Sequence, residues 1–332
     1  MIRNRRELLA LAATGVAILT TKAAPTWAAA NKPRIRAIFE TPMEEPFVTQ
    51  LHLAMSRMAK ENGLDYKYSE SVKAADFSRV LRQWCEEGIE LIVGDAYGTE
   101  QICRRVAAAY PDTAFTLGSA MGPTEPNVST FYGQNYEPAY LAGMLAAGMS
   151  KTGKIGVVAG IAVPTTYGLL NAYRAGAKDF RPDVEMKAAY IGSMFDPPKA
   201  KEATIAMADQ GVDVVFAERI GVIEAATERG MLAIGNMTDQ SSINPATVVS
   251  SVIWDPYPII KASVEAVSSG NISAKDYSTL ENIANGVNYL APFKEFDSKV
   301  PAELKTAIEE KSKEIASGAF KVAYDESETK SD

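Results

Sequence analysis

The sequence predicts an α/β protein built as two doubly wound parallel-sheet lobes. Short β-rich runs alternate with amphipathic helical patterns, and the alternation runs through two series with an Ala/Gly-rich helix between them. At 332 residues and 47% hydrophobic content the chain is long enough for two ordinary domains. Alternating βα units bury strands on both faces and so demand parallel sheets with helices above and below; two series mean two lobes.

The first thirty residues stand outside this pattern. Arg3, Arg5 and Arg6 form a positive start, Leu8 to Leu19 an apolar run too short for a lasting membrane anchor, and Ala28-Ala29-Ala30 a small-residue cleavage site. Residues 1–30 therefore read as an export signal, and "NRRELLA" resembles the twin-arginine type, although Lys22 is compatible with either export route. A mature chain in the periplasm is expected, beginning near Asn31, with no cysteine near the cleavage site to carry a lipid anchor. Cleavage moves the formal charge from −7 to −10.

The first series contains the strands "RIRAIFE" (34–40), "LDYKYSE" (64–70), "IELIVGD" (89–95), "TAFTLGS" (113–119) and "VSTFYGQN" (128–135). Between them, Val72, Phe77, Val80, Leu81 and Trp84 recur at helical spacing, which makes Trp84 a core residue. After the helix "EPAYLAGMLAAGMS" the second series gives "KIGVVAG" (154–160), "VEMKAAYIG" (184–192), "VDVVFAE" (212–218), "MLAIGN" (231–236) and "ATVVSSVIW" (246–254). Helices fall at 198–210 and 221–229, and the last part, from "PYPIIKASVEAVSSG" to a helix near 301–317, crosses back between the lobes.

Composition narrows the function. The balance is acidic, 34 basic against 41 acidic residues, with no basic run after the first few positions, which argues against nucleic acid as a partner. The single histidine, His52, and two cysteines, Cys85 and Cys103, make no metal site, no cofactor is expected, and the lack of histidines disfavours the usual nucleophile and general-base pairings. An oxidising compartment permits a disulfide between the two cysteines but does not require one.

In open parallel sheets ligands bind outside the carboxyl ends of the strands. At those ends the sequence places Phe47, Asp95, Tyr97, Asn135, Tyr136, Phe195, Asp196, Glu218, Asn236, Asp239 and Trp254. Trp254 closes the β-branched run "SSVIW" just before Asp-Pro, where any polar residue would serve, so it reads as one wall of a ligand slot. Aromatics and carboxylates recurring at strand ends suit a planar ligand with N–H donors.

At "NYEPAYLAGMLAAGMSKTGKIGVVAG", "FDPPKAKEATIAMADQGVDVVF" and "IGNMTDQ" the chain resembles the basic membrane protein (BMP) family of ABC-transporter solute-binding proteins, over about residues 33–325. Characterised members of that family bind purine nucleosides or, in one branch, adenine. The resemblance implies a type I periplasmic-binding fold with three crossovers and a hinge that closes on ligand. It implies lobes of residues 31–136 plus 255–282 and 137–254 plus 283–325, leaving 326–332 as a disordered tail. The expected partners are a small-molecule ligand and an ABC permease in the inner membrane, with the binding protein itself a monomer and not an enzyme. Carried onto this chain, Tyr97 with Phe47 or Trp254 would sandwich a base, and Asp196 and Asn135 would bond its edge.

The departures favour a base over a nucleoside. Nucleoside binders of the family carry an Asp two residues after the "IG" pair and a Lys following the "SS" strand, where this chain has Met237 and Trp254. Glu44, Glu45 and Asp239 remain as alternative acceptors for a sugar. The alternatives to uptake of a purine base are a nucleoside-binding protein, a ligand-presenting partner of a membrane receptor and, least favoured, an exported nucleoside hydrolase.

Overall fold

A computed structural model describes residues 32–332; the expected export signal lies outside the described residues. The first sheet is formed by β1 (Ile35–Ile38), β2 (Tyr66–Ser69), β3 (Leu91–Asp95), β4 (Ala114–Gly118) and β5 (Val128–Phe131), in the order β2-β1-β3-β4-β5 and parallel throughout. Helices α1 (Pro46–Asn62), α2 (Ala74–Glu86) and α3 (Glu100–Ala109) connect the first four strands. The start and stop of α1 are written in its ends. Glu45 caps it by accepting from the Val48 N–H at 3.1 Å, Pro46 supplies a preset first turn, and Gly63 ends it at φ 62°. Phe77, Leu81 and Trp84 of α2 pack with Val106 of α3 on one face of this sheet.

The second lobe begins with α4 (Tyr136–Met149) and continues through β6 (Lys154–Ala159), α5 (Pro164–Phe180), β7 (Glu185–Tyr190), α6 (Pro197–Asp209), β8 (Val214–Ala217), α7 (Val222–Glu228), β9 (Leu232–Met237) and β10 (Val248–Trp254). All ten expected strands are present. The Ala/Gly-rich composition of α4 has a packing cause: a Cβ at Gly143 would lie 1.9 Å from the Tyr173 carbonyl oxygen, and one at Gly176 would lie 1.8 Å from that of Tyr140. Helices α4 and α5 thus touch backbone to backbone. Among the described residues no helix is long and apolar enough to cross a membrane.

The chain then returns. Helix α8 (Tyr257–Ser268) packs against α1 and β3 of the first lobe, and Asp276 bridges to Thr130 beside β5. Strand β11 (Asn288–Leu290) adds to the second sheet, antiparallel to β10, before α9 (Ala302–Ser317) covers α4. The second sheet has the order β11-β10-β9-β8-β6-β7. The chain therefore passes between the sheets three times, near residues 132–135, 255–256 and 277–287. Glu281 ties these passages together: its carboxylate accepts from the backbone N–H groups of Tyr132 and Gly133 at 2.8 and 2.7 Å and from Trp254 Nε1 at 3.0 Å.

Cys85 and Cys103 are both buried and free in the core between α2 and α3, with no disulfide between them. Residues 326–332, expected to be disordered, instead lie along β7. The Asp332 N–H donates to the Met186 carbonyl at 2.9 Å, the Met186 N–H returns a bond to Asp332 Oδ2 at 3.0 Å, and the Ala188 N–H donates to Ser331 Oγ at 3.0 Å. Ion pairs from Asp332 to Arg174 and Lys178, at 2.7 and 3.2 Å, hold the end in place. A polar, charged composition shows no core-forming pattern, but β7 is an edge strand whose unpaired backbone groups need covering. Removal of residues 326–332 should lower stability by about 1–2 kcal/mol, a few degrees in Tm, in a thermal melt. An unchanged midpoint would mean that the edge is covered as well by water.

Candidate functional site

The carboxyl ends of the two sheets face each other, and aromatic rings meet there. Phe47, in the first turn of α1, lies face to face with Trp254 at the end of β10, with ring centroids 4.9 Å apart and planes 3° from parallel. Tyr97, in the loop after β3, stands edge-on to Phe47 at 6.2 Å, and Phe131, at the end of β5, stacks on its flank at 6.2 Å. Gly133 makes room for this arrangement: its φ is +69°, and a Cβ there would meet the Phe47 ring at 2.9 Å. Phe47 comes from the first lobe and Trp254 from the second, so the stack spans the two. Trp254 is fully buried rather than lining an open slot. Its partner across the gap is an aromatic ring, which covers it when the lobes are together.

Three asparagines surround the Trp254 end of the second sheet. Asn236 on β9 aligns with Val252, two residues before Trp254 and therefore on the same face, and Asn288 on β11 pairs directly with Trp254. Asn135 precedes α4 without capping it, its Nδ2 lying 3.2 Å from Met237 Sδ. All three are at most 2% exposed, yet Asn135 Oδ1, Asn288 Oδ1 and both side-chain polar atoms of Asn236 have no hydrogen-bond partner within the protein. Each buried polar atom left unpaired costs roughly 1–3 kcal/mol, so four at one sheet end ask for a polar occupant. The adjoining Met237 has a left-handed backbone, φ 63°, and Gln50 of α1 reaches across from the first lobe to its carbonyl at 2.8 Å. Backbone strain of this sort collects at ligand sites.

The remaining expected residues are distributed as follows. Glu218 does not face an open slot: its carboxylate forks onto the buried Arg219 guanidinium at 2.7 and 2.5 Å and accepts the Gly160 N–H at 3.0 Å. Asp196 caps α6, accepting from the Lys199 N–H at 3.2 Å and pairing with the Lys199 ammonium at 3.3 Å. Its neighbour Phe195 is exposed. The Tyr136 ring packs on Tyr324, centroids 5.0 Å apart, against the second-lobe core. Asp239 pairs with Lys294 at 2.6 Å and, with Glu44, Thr49 and Arg219, borders a cleft of about 340 Å³ beside the first turn of α1. Sequence reading did not mark Arg219, Phe131, Asn288 or Glu281. An arginine directly after a strand-end glutamate was the one available signal for the first.

Asp95 lies next to two further carboxylates. Burial, reinforced by the charges of Glu40 and Glu45, pushes its pKa up to about 7. A carboxyl whose folded-state pKa is raised binds its proton more tightly in the folded than in the unfolded chain, so its ionisation costs stability as pH rises from about 4 to about 7. Asp95→Asn should therefore melt higher than the wild type at pH 8, by on the order of 1–3 kcal/mol, with the difference shrinking towards pH 4. Equal melting at pH 8 would refute the assignment.

Residues 38–321 match the family model Bmp, described as ABC transporter substrate-binding protein PnrA-like. A purine-binding protein of Brucella abortus is 30% identical over 250 residues, covering 74% of this chain and 69% of that one. A protein of Haloferax volcanii, named a putative ABC transporter glucose-binding protein, is 30% identical over 213 residues, or 64% of this chain and 54% of its own length. Among solved structures, an ABC transporter solute-binding protein from Aeropyrum pernix superposes with a TM-score of 0.78 at 21% identity, covering 88% of this chain and 93% of that one. At that identity the likeness shows the fold, the type I arrangement of periplasmic binding proteins.

Proposed function

The chain belongs to the Bmp family of PnrA-like ABC transporter substrate-binding proteins, and from that premise we propose that it is an exported protein that closes its two lobes on a free purine base, adenine for preference, and presents it to an ABC permease in the inner membrane. The Phe47–Trp254 stack across the lobes carries this reading. When the lobes part, each ring exposes a flat apolar face. A planar heterocycle slipped between them replaces one ring-to-ring contact by two, and needs the rings only about 7 Å apart, twice a van der Waals contact distance. At the second-lobe wall, Asn135, Asn236 and Asn288 together offer unpaired acceptors and a donor. A purine edge, which alternates donors and acceptors, satisfies such a set, and the Brucella relative named for purine binding supports the assignment.

A nucleoside is the second reading, because the cleft bordered by Glu44 and Asp239 adjoins the first turn of α1, which carries Phe47. A sugar attached to the base would extend there. Calorimetry on the signal-free protein with adenine, guanine, their nucleosides and glucose separates these cases. Tighter binding of adenine than of adenosine supports the proposal. A nucleoside tenfold tighter than its base would transfer the site to nucleosides, and heat from glucose alone would replace the purine assignment.

A further inference from the structure

Arg219 lies where the two lobes meet, on the border of the cleft beside α1, and its polar groups are turned to protein partners from both lobes. Its side chain is about 5% exposed. Nε and Nη2 donate to both oxygens of Glu218, Nη1 donates to the Met194 carbonyl at 2.6 Å, and Nη1 also lies 3.5 Å from Glu45 Oε1. Each partner governs a different part of the cleft. Glu45 is the cap of α1, and Phe47 follows two residues later in the same turn. Met194 immediately precedes Phe195 and the α6 cap Asp196. Glu218 directly follows β8 and accepts the N–H of Gly160, which directly follows the neighbouring β6.

We propose that Arg219 is the positioning residue of the cleft. By joining Glu45 of the first lobe to Glu218 and the Met194 carbonyl of the second, it fixes how the Phe47 turn meets the Trp254 wall when the lobes close. A guanidinium is suited to this because its planar fork serves several acceptors at once, whereas a lysine ammonium is a single point of charge. The pair between lobes breaks on opening, while the Glu218 fork stays intact within the second lobe. The closed state therefore gains a buried charge pair that the open state lacks.

The affinity arm of the test rests on the purine reading; the shape arm does not. Glu45→Gln keeps a capping oxygen for α1 and leaves Arg219 held by Glu218, so it should fold; Arg219→Lys and Arg219→Met remove the fork. Three measurements are made on the signal-free protein: adenine affinity and dissociation rate, the radius of gyration of the unliganded protein by small-angle scattering, and far-UV circular dichroism. Expected are wild-type dichroism for Glu45→Gln, an increased radius for all three variants, and adenine affinity lowered at least tenfold, chiefly through faster dissociation. Arg219→Lys should fail to restore it. Glu45→Gln combined with Arg219→Met should be no weaker than Arg219→Met alone, because the two act through one contact. An unchanged radius in Glu45→Gln overturns the proposal even if the wild type binds no purine. Strictly additive losses in the double variant, or full rescue by lysine, overturn it as well. Absence of adenine binding by a wild type whose radius still responds to Glu45→Gln overturns the purine reading alone.

Discussion

Trp254→Ala is expected to weaken adenine binding by about tenfold to a hundredfold or more and, in the same protein, to lower folding stability by about 3–5 kcal/mol. The affinity loss follows from stacking, which contributes roughly 1–3 kcal/mol per base on an aromatic ring. The stability loss follows from burial. Trp254 is 0% exposed, stacked on Phe47 and bonded through Nε1 to Glu281, so alanine leaves a cavity and strips a partner from a carboxylate that also holds two hinge N–H groups. Phe47→Ala separates the two effects, since Phe47 is only half-buried and should lose comparable affinity with a smaller drop in melting temperature. Removal of residues 1–30 takes away Trp27 and leaves Trp84, in the core between α2 and α3, and Trp254 as the only indoles, so ligand-dependent emission should come from Trp254. Wild-type affinity in both Trp254→Ala and Phe47→Ala would refute the stack as the binding surface, as would a ligand signal that survives in Trp254→Phe and vanishes in Trp84→Phe.

The sequence made the architecture legible because hydrophobic period is a local signal. Ten strands, each bounded by turn residues and separated by helical spacing, could be placed without knowing any contact. Strand β11 escaped because three residues, Asn288–Leu290, show no period, and its pairing to β10 is imposed by the returning chain. The site was less legible for a different reason. Position at a strand's carboxyl end can be read from a sequence, but pairing across a gap cannot. Trp254 was placed at the cleft by its strand, while its stacking on a ring from the other lobe depends on how the lobes close. Glu218 shows the same limit: its strand-end position suggested a ligand acceptor, yet the adjacent Arg219 occupies both carboxylate oxygens. The tail was misread because seven polar residues carry no pattern of their own and take their order from the β7 edge.

Asn236→Leu should make the unliganded protein more stable by about 1–3 kcal/mol while weakening adenine binding more than a hundredfold. The two halves of this expectation share one cause. Both polar atoms of the Asn236 side chain are buried without a protein partner, on the sheet face it shares with Ile234, Val252 and Trp254. Leucine has the same branched skeleton and no unpaired polar atom, so the folded chain loses a desolvation cost that outweighs the strain of fitting two bulkier methyl groups. The same substitution removes a donor and an acceptor from the ligand wall and leaves a base edge facing hydrocarbon, which rejects a polar ligand far more strongly than the loss of one stacking contact. Stability and binding thus move in opposite directions, as expected for a polar group kept in an apolar core for the sake of its ligand. Thermal melts and calorimetry on the same preparation decide it: a less stable Asn236→Leu would mean that the amide is satisfied in the unliganded protein, and a stable variant that still binds adenine would remove Asn236 from the site.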